Sequence, residues 1–88
     1  MTEISFNKSF VKSLKKLLKQ DQSFEKRLKE KLNIFIDNPF NPILKTHKLS
    51  GKLKELYSFS IEFDLRILFY FYENKAVFID IGRHADVY

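Results

Sequence analysis

The residues best suited to acid–base chemistry lie in the second half of the chain. Its two histidines are His47 and His84, and Asp64, Arg66 and Arg83 lie between them. Histidine exchanges a proton near neutral pH because its unperturbed pKa is about 6.5. One such group could remove the proton of a ribose 2′-hydroxyl while another protonates a leaving 5′-oxygen, and cations would stabilise the charge that develops on the phosphate. This set of residues therefore predicts metal-independent cleavage of RNA.

Positive charge is concentrated in the first part of the chain. The net charge is +5 overall, but it is +8 over residues 1–54 and −3 over residues 55–88. Lysines on predicted helices usually form a solvated face. The segment from Ile43 to Lys54 differs because it lies outside any predicted helix and has no acidic residue. Its lysines are predicted to hold phosphates: Lys45, Lys48, Lys52 and Lys54.

The composition excludes several other classes of function. With two glycines, Gly51 and Gly82, the chain has no glycine-rich phosphate loop, so no nucleotide cofactor is expected. The two histidines lack the close spacing of a metal site, and the absence of cysteine excludes disulfides and thiolate ligands. No apolar run is long enough to span a membrane, and Met1 is not followed by a secretory signal. We expect a cytoplasmic protein without cofactor or metal.

The first half of the chain predicts one strand and two helices. Residues 2–6 alternate as a short strand, and Asn7 can cap a helix over residues 8–19. Asp21 or Ser23 is predicted to begin a second helix, which ends by Asp37 or Asn38 because Pro39 follows. Each helix has one apolar stripe. These are Phe10, Leu14, Leu17 and Leu18 in the first, and Phe24, Leu28, Leu32, Phe35 and Ile36 in the second.

The second half predicts three strands after a loop over residues 40–46. From Leu53 to Ile61 apolar residues alternate with polar ones, which indicates a strand with one buried and one polar face. A turn over residues 62–64 leads to an apolar strand over residues 65–72, and Asn74 suits the next turn before a last strand over 76–81. The 88 residues thus predict one α+β domain, with two helices on one face of a mainly antiparallel four-stranded sheet.

Three segments of the chain resemble a known family. They are the run from His47 through Tyr57 to Ile61, the strand from Asp64 to Tyr70, and the ending from Asp80 to Tyr88. Together they resemble the RelE/ParE superfamily of toxins from bacterial type II toxin–antitoxin modules, and within it the YafQ-type mRNA interferases. The resemblance implies the RelE-like fold and a toxin that cuts mRNA at the ribosome until an antitoxin neutralises it.

The resemblance also implies roles for single residues. His47, Asp64 and His84 fall on the catalytic positions of the YafQ branch, with His84 as general acid and His47 or Asp64 as general base. Tyr88 falls on the terminal aromatic position and could stack on a base. Arg66 matches an arginine of the third strand. Arg83 and the lysines give electrostatic support, and the product would be a 2′,3′-cyclic phosphate.

One position departs from the pattern of the family. Where the YafQ branch has a further histidine and much of the superfamily an arginine, this chain has Ser60. A serine hydroxyl is neither a general acid near neutral pH nor a positive charge. The chemistry would then depend on the remaining residues of the set, or the activity would be lower.

Two other functions fit parts of the sequence. A ParE-like inhibitor of DNA gyrase would share the fold, but it has no need of histidines at positions 47 and 84. A non-cleaving module that binds RNA or the ribosome would suit Ser60 and the basic loop, and its affinity would fall steeply with salt. The expected partners are mRNA, the ribosome and an acidic, partly disordered antitoxin in a hetero-oligomer with the toxin.

Overall fold

The computed structural model describes residues 1–49 and 55–83. In these two ranges the chain forms two helices, a short 3₁₀ turn and five strands. Their bounds are β1 Glu3–Phe6, α1 Lys8–Gln20, α2 Glu25–Asp37, the 3₁₀ turn Pro42–Leu44, β2 His47–Lys48, β3 Tyr57–Glu62, β4 Leu65–Tyr72 and β5 Lys75–Arg83.

Helix α1 begins as the sequence predicts. The Asn7 side chain caps it by accepting a hydrogen bond from the backbone N–H of Phe10 at 3.0 Å. Such a cap satisfies one of the backbone donors that a helix leaves unpaired in its first turn. Phe10 is fully buried, and the other apolar residues of the predicted stripe pack against the same core. One face of α1 is therefore fixed against the sheet, and its lysines lie on the other.

Helix α2 begins later than predicted. Its first residue is Glu25, so neither Asp21 nor Ser23 is the cap. The Asp21 carboxylate instead accepts a hydrogen bond from the backbone N–H of Ser23 at 2.9 Å, which makes a local turn. Phe24 precedes the helix and is completely buried, so burial of its ring decides where α2 starts. The helix ends at Asp37, as predicted.

The sheet has five strands rather than the four predicted. The order is β1-β5-β4-β3-β2, with β1 parallel to β5 and the other pairs antiparallel. The additional strand is β2, whose two residues are too few to show a period-two pattern in the sequence. Strand β3 is described from Tyr57 onward, and residues 53 and 54 lie outside the described ranges. The α+β class is confirmed.

The helices cover one face of the sheet. The core between them contains the rings of Phe35, Phe59, Phe69 and Phe78, with Phe35 and Phe59 stacked at a centroid distance of 4.5 Å. On β3 the predicted polar face is also buried, since Ser58 and Ser60 are 0% and 8% exposed. No helix in the described ranges is long and apolar enough to cross a membrane.

Candidate functional site

The sheet face turned away from the helices gathers several of the predicted site residues. Directly paired residues of neighbouring strands share a face. Ser58 pairs with His47 on one side and Leu68 on the other, and Ser60 pairs with Arg66. The residues between them on each strand, such as Phe59 and Ile67, belong to the core. We call this surface the open face because it is turned away from the two helices. It comprises His47, Ser58, Ser60, Arg66 and Leu68, and of these Ser58, Ser60 and Leu68 are buried.

Arg66 has the most unusual environment on the open face. Its Nε and Nη1 atoms are buried and have no hydrogen-bond partner among the described residues. The residue opposite it on β5 is Gly82, which has no side chain to offer an acceptor. A buried cationic donor without an acceptor is unfavourable, and such groups in folded proteins call for a specific explanation. Phosphate oxygens are acceptors of the kind that a guanidinium bonds well.

His47 lies on the edge strand of the same face. It is exposed, and its Nδ1 lies 3.2 Å from the carbonyl oxygen of Lys45. Because a carbonyl only accepts, Nδ1 is the donor of this hydrogen bond in the forms of the ring that carry a proton there. From strand spacing and rise, the Cα atoms of His47 and Arg66 are about 12 Å apart. Two long side chains at that distance can contact neighbouring atoms of one nucleotide.

The loop that leads to β2 places two of the predicted lysines beside His47. Lys45 and Lys48 are both exposed. Lys45 has a positive φ of 52° at the end of the 3₁₀ turn, where the chain changes direction toward β2. Lys48 pairs with Tyr57 and so lies on the face that carries the helices. The edge of the sheet at β2 therefore carries two exposed lysines.

Asp64 and Arg83 belong to a different cluster. Arg83 donates to Asp64 at 2.7 Å and to Glu62 at 3.2 Å, and Asp21 lies 3.9 Å away. Arg27 of α2 approaches Glu62 at 3.7 Å. We call these five residues the arginine–carboxylate cluster. It connects the end of β5, the β3–β4 turn, the α1–α2 connection and helix α2.

This cluster changes the interpretation of Arg83. Arg83 pairs with Leu65, a fully buried core residue, so it lies on the helix side of the sheet. Burial acts to lower the pKa of Arg83, but hydrogen bonds to Glu62 and Asp64 outweigh it and hold the pKa above its ordinary value. With three carboxylates around it, the guanidinium is already neutralised. It is poorly placed to attract a phosphate on the open face.

The structure does not bring Asp64 close to His47. Asp64 is in the β3–β4 turn, whereas His47 pairs with Ser58, four residues before the end of β3 at Glu62. The rise of a strand places Ser58 and Glu62 about 13 Å apart along β3. The spacing in the sequence could not show this, because it does not tell which end of β3 the preceding strand would pair with.

The remaining predicted residues divide into two groups. Lys52, Lys54, His84 and Tyr88 lie outside the described residues. Ser60, at the departing position, is described, and its Oγ donates to the carbonyl oxygen of Glu62 at 2.9 Å. This hydrogen bond spans the register shift between Ser60 and Glu62 near the end of β3.

Sequence reasoning missed the partners of Arg83. The sequence predicts a turn at Glu62 and the start of a helix at Asp21, and neither prediction indicates an ion pair with Arg83. Hydrogen bonds from the Ser23 hydroxyl and backbone lower the pKa of Asp21, partial burial opposes them, and the charge of Arg83 assists them. In residues 1–49 and 55–83, no group of three or more His, Cys, Asp or Glu side chains is arranged so that it could hold a metal ion.

Comparison with protein families gives a match over nearly the whole chain. The model for YafQ, a bacterial toxin of type II toxin–antitoxin systems, matches residues 2–88. Among solved structures, YafQ from Escherichia coli BL21(DE3) is similar at 21% identity and a TM-score of 0.80, with 100% of this chain and 99% of that chain covered. No curated protein sequence matches at a significant level.

Two further structures share the fold. The Escherichia coli DinJ–YafQ toxin–antitoxin complex is similar at 21% identity and a TM-score of 0.78, covering 99% of this chain and 97% of that one. The YoeB dimer from Staphylococcus aureus is similar at 23% identity and a TM-score of 0.74, covering 94% and 97%. At such identities these structures show the fold alone, and they confirm the predicted RelE-like architecture.

Proposed function

The chain belongs to the YafQ family of bacterial toxins from type II toxin–antitoxin systems, and we propose that it is a metal-independent endoribonuclease that cuts mRNA at the ribosome. It acts in the cytoplasm, and a cognate antitoxin neutralises it. Support comes from the family and from the open face of the sheet. The Escherichia coli relative occurs in a complex with the antitoxin DinJ, and by analogy this toxin forms a hetero-oligomer with its own antitoxin.

The single observation that carries the proposed chemistry is the environment of Arg66. Two of its nitrogens are buried without an acceptor in the part of the chain that the structure describes, and it shares the open face with His47. Cleavage of RNA needs a fixed positive charge where the phosphate becomes more negative in the transition state. A guanidinium that is already desolvated can supply this charge without first losing water or another partner.

The reaction then has one proton acceptor and one proton donor. The 2′-oxygen attacks phosphorus while His47 takes its proton, and the bond from phosphorus to the 5′-oxygen breaks as His84 protonates that oxygen. The products are a 2′,3′-cyclic phosphate and a free 5′-hydroxyl. We assign the base to His47 rather than Asp64, because the Asp64 carboxylate accepts a hydrogen bond from Arg83 at 2.7 Å in the arginine–carboxylate cluster, away from the open face.

The other predicted residues bind rather than react. The phosphates of the mRNA and of ribosomal RNA would contact the exposed lysines of the β2 edge, and those that follow in the sequence extend the same charge. These residues are Lys45, Lys48, Lys52 and Lys54. Tyr88 would stack on a base next to the cleaved bond. Asp64 has a positioning role: it accepts a hydrogen bond from Arg83 and thereby fixes the β3–β4 turn.

The test is to map mRNA 5′ ends in a purified bacterial translation reaction. Wild-type protein should give cuts in register with codons, and His47→Ala and His84→Ala should each reduce them about 100-fold, as expected for loss of a general acid or base. Lys26→Ala, an exposed change on α2, is the matched control. Full cleavage by His84→Ala would contradict the assignment.

The other outcomes would point to the two competing functions. Arrested translation without cuts from any variant would favour a module that binds RNA but does not cleave it. Ser60 suits such a module, because its hydroxyl already donates to the carbonyl oxygen of Glu62. No effect on translation would direct attention to a supercoiling assay with DNA gyrase.

A further inference from the structure

Asp80 lies close to Arg66 in the register of the sheet. It pairs with Leu68 on β4, and Leu68 belongs to the open face. Arg66 pairs with Gly82, so Arg66 and Asp80 are diagonal neighbours on adjacent strands. Diagonal neighbours on one face are about 7 to 8 Å apart, a distance that a long side chain can span. The register alone would therefore allow an ion pair between Asp80 and Arg66.

Hydrogen bonds direct the carboxylate of Asp80 elsewhere. Its Oδ1 accepts from the hydroxyl of Ser13 at 2.6 Å and from the backbone N–H of Ile81 at 2.9 Å. Ser13 belongs to α1, so the carboxylate is turned toward the helix side of the sheet. Among the described residues, no ion pair joins Asp80 to Arg66.

The local shape of β5 makes this arrangement possible. The register against β4 shifts between Leu68 and Phe69, so that Ile79 is an additional residue on β5. A bulge of this kind bends the strand and re-aims the side chains beside it. Strand β1 pairs with β5 only from Lys75 to Phe78, and the residues of β5 that follow contact α1 instead. The bulge thus brings the carboxylate to the outer edge of the sheet, next to α1.

A cavity beside the Ser13–Asp80 hydrogen bond gives the carboxylate room to move. It has a volume of about 360 Å³ and lies between α1 and β5, with Ser13, Lys16, Asp80 and Gly82 among its lining residues. Gly82 is also the cross-strand neighbour of Arg66, and it has no side chain that could separate Arg66 from Asp80. The position of the carboxylate therefore depends on its hydrogen bonds and on the charge of Lys16 rather than on close packing.

We propose that Ser13 and Asp80 are positioning residues for RNA cleavage, because the hydroxyl of Ser13 holds an anion away from Arg66. The proposal rests on the proposed function, in which Arg66 faces the phosphate. If the carboxylate of Asp80 turned to the open face, it would occupy the guanidinium that the RNA needs, since a guanidinium bonds carboxylate and phosphate oxygens alike. Neither Ser13 nor Asp80 touches the RNA, and both act through Arg66.

A second serine separates this role from a purely structural one. The hydroxyl of Ser9 donates to the carbonyl oxygen of Ile79, so Ser9 also connects α1 to β5. Its acceptor is uncharged, whereas the acceptor of Ser13 is an anion within reach of Arg66. Ser9→Ala is therefore the matched control for Ser13→Ala.

The experiment compares mRNA cleavage by the variants in the purified translation reaction. For Ser13→Ala we expect cleavage to fall about tenfold, because a hydrogen bond to a charged group is lost and Asp80 can then pair with Arg66. Ser9→Ala should change cleavage by less than about twofold, because it releases no charged group. Adding Asp80→Asn to Ser13→Ala should restore cleavage to within about threefold of the wild type, because a neutral amide competes poorly for a guanidinium.

A second measurement does not depend on cleavage. RNA with 2′-O-methyl groups lacks the attacking hydroxyl, and its affinity should fall in Ser13→Ala and recover in the double variant. In an Arg66→Met background, Ser13→Ala should change neither cleavage nor affinity further, because effects of residues that act through one group are not additive. Thermal unfolding checks that each protein is folded, and alanine is a favourable residue within a helix.

The outcomes separate this proposal from the proposed function. If the wild type cuts mRNA and Ser13→Ala cuts it equally well, the positioning role is wrong and the proposed function stands. If Ser13→Ala is impaired but Asp80→Asn does not restore it, Ser13 acts on the fold and the positioning role is again wrong. If the wild type neither cuts mRNA nor binds the methylated RNA, the proposed function fails, and the positioning role fails with it.

Discussion

The two arginines of the sheet lie on neighbouring strands and have opposite surroundings. Arg83 on β5 faces the helices and has three carboxylates within 4 Å, at 2.7, 3.2 and 3.9 Å. Arg66 on β4 lies on the open face, where its buried Nε and Nη1 have no partner among the described residues. The same residue type thus occurs once with an excess of acceptors and once with a deficit.

This contrast separates a structural charge from a functional one. A guanidinium enclosed by carboxylates contributes to the fold, and removing it leaves repelling anions behind. Two buried guanidinium nitrogens without acceptors are a cost to the folded protein, and binding of an anion by this side chain would offset that cost. Arg83 is next to a histidine in the sequence, but this proximity was a poor guide to its function. The partners that each arginine has in the structure are a better guide.

The strongest test of the contrast is Arg66→Met. We expect mRNA cleavage to fall about 100-fold, because a preorganised charge facing the phosphate is lost. The free energy of unfolding should stay unchanged or rise, since methionine fills similar volume without an unpaired buried charge. Cleavage is measured by 5′-end mapping, and stability by urea unfolding. A variant that is destabilised yet still cuts RNA would make Arg66 structural.

The opposite pattern is expected for Arg83→Met. Loss of the pairs to Glu62 and Asp64 should lower the free energy of unfolding by about 1 to 2 kcal/mol, a figure reduced for the partial exposure of these groups. For a domain of this size that corresponds to a drop in Tm of about 5 to 10 °C. Cleavage measured well below Tm should change far less than in Arg66→Met.

One result would contradict the contrast at Arg83, and one further variant serves as a control. If Arg83→Met lost cleavage as completely as Arg66→Met while remaining folded, Arg83 would act on the RNA directly. The charge-conserving Arg83→Lys variant adds a control. It should recover only part of the lost stability, because an ammonium group cannot bridge two carboxylates with the planar geometry of a guanidinium.

The smallest effect is expected from Asp21→Asn. The pKa of Asp21 lies below its ordinary value in the folded protein, chiefly because of hydrogen bonds from Ser23. A lowered folded-state pKa adds stability that is present above the unfolded value and is lost as the pH falls through the folded value. Wild-type Tm should thus decline more steeply than that of Asp21→Asn on acidification below the ordinary pKa. Parallel declines in the two proteins would show that Asp21 adds nothing to the cluster.

Much of the fold could be predicted from local patterns. The cap at Asn7, the apolar stripe of α1, the end of α2 before Pro39 and the turn at Asn74 all follow from interactions within a few residues. Asn74 does adopt a positive φ of 67°, and Glu73 beside it adopts 48°. Local patterns misplaced the start of α2, because burial of the Phe24 ring decides it. They also missed β2, because its two residues are too few to show a periodic pattern.

The sequence alone determined the family, the α+β class and the residues able to exchange protons or hold phosphates, because these depend on residue type, spacing and periodicity. Only the tertiary structure decided how those residues are grouped. Strand order and register placed Arg83 and Asp64 with Glu62 on the helix side, and placed Arg66 with His47 on the open face. The physical reason is that neighbouring residues on a strand face opposite sides of the sheet, so a charge and its partner are chosen by cross-strand pairing and not by distance along the chain.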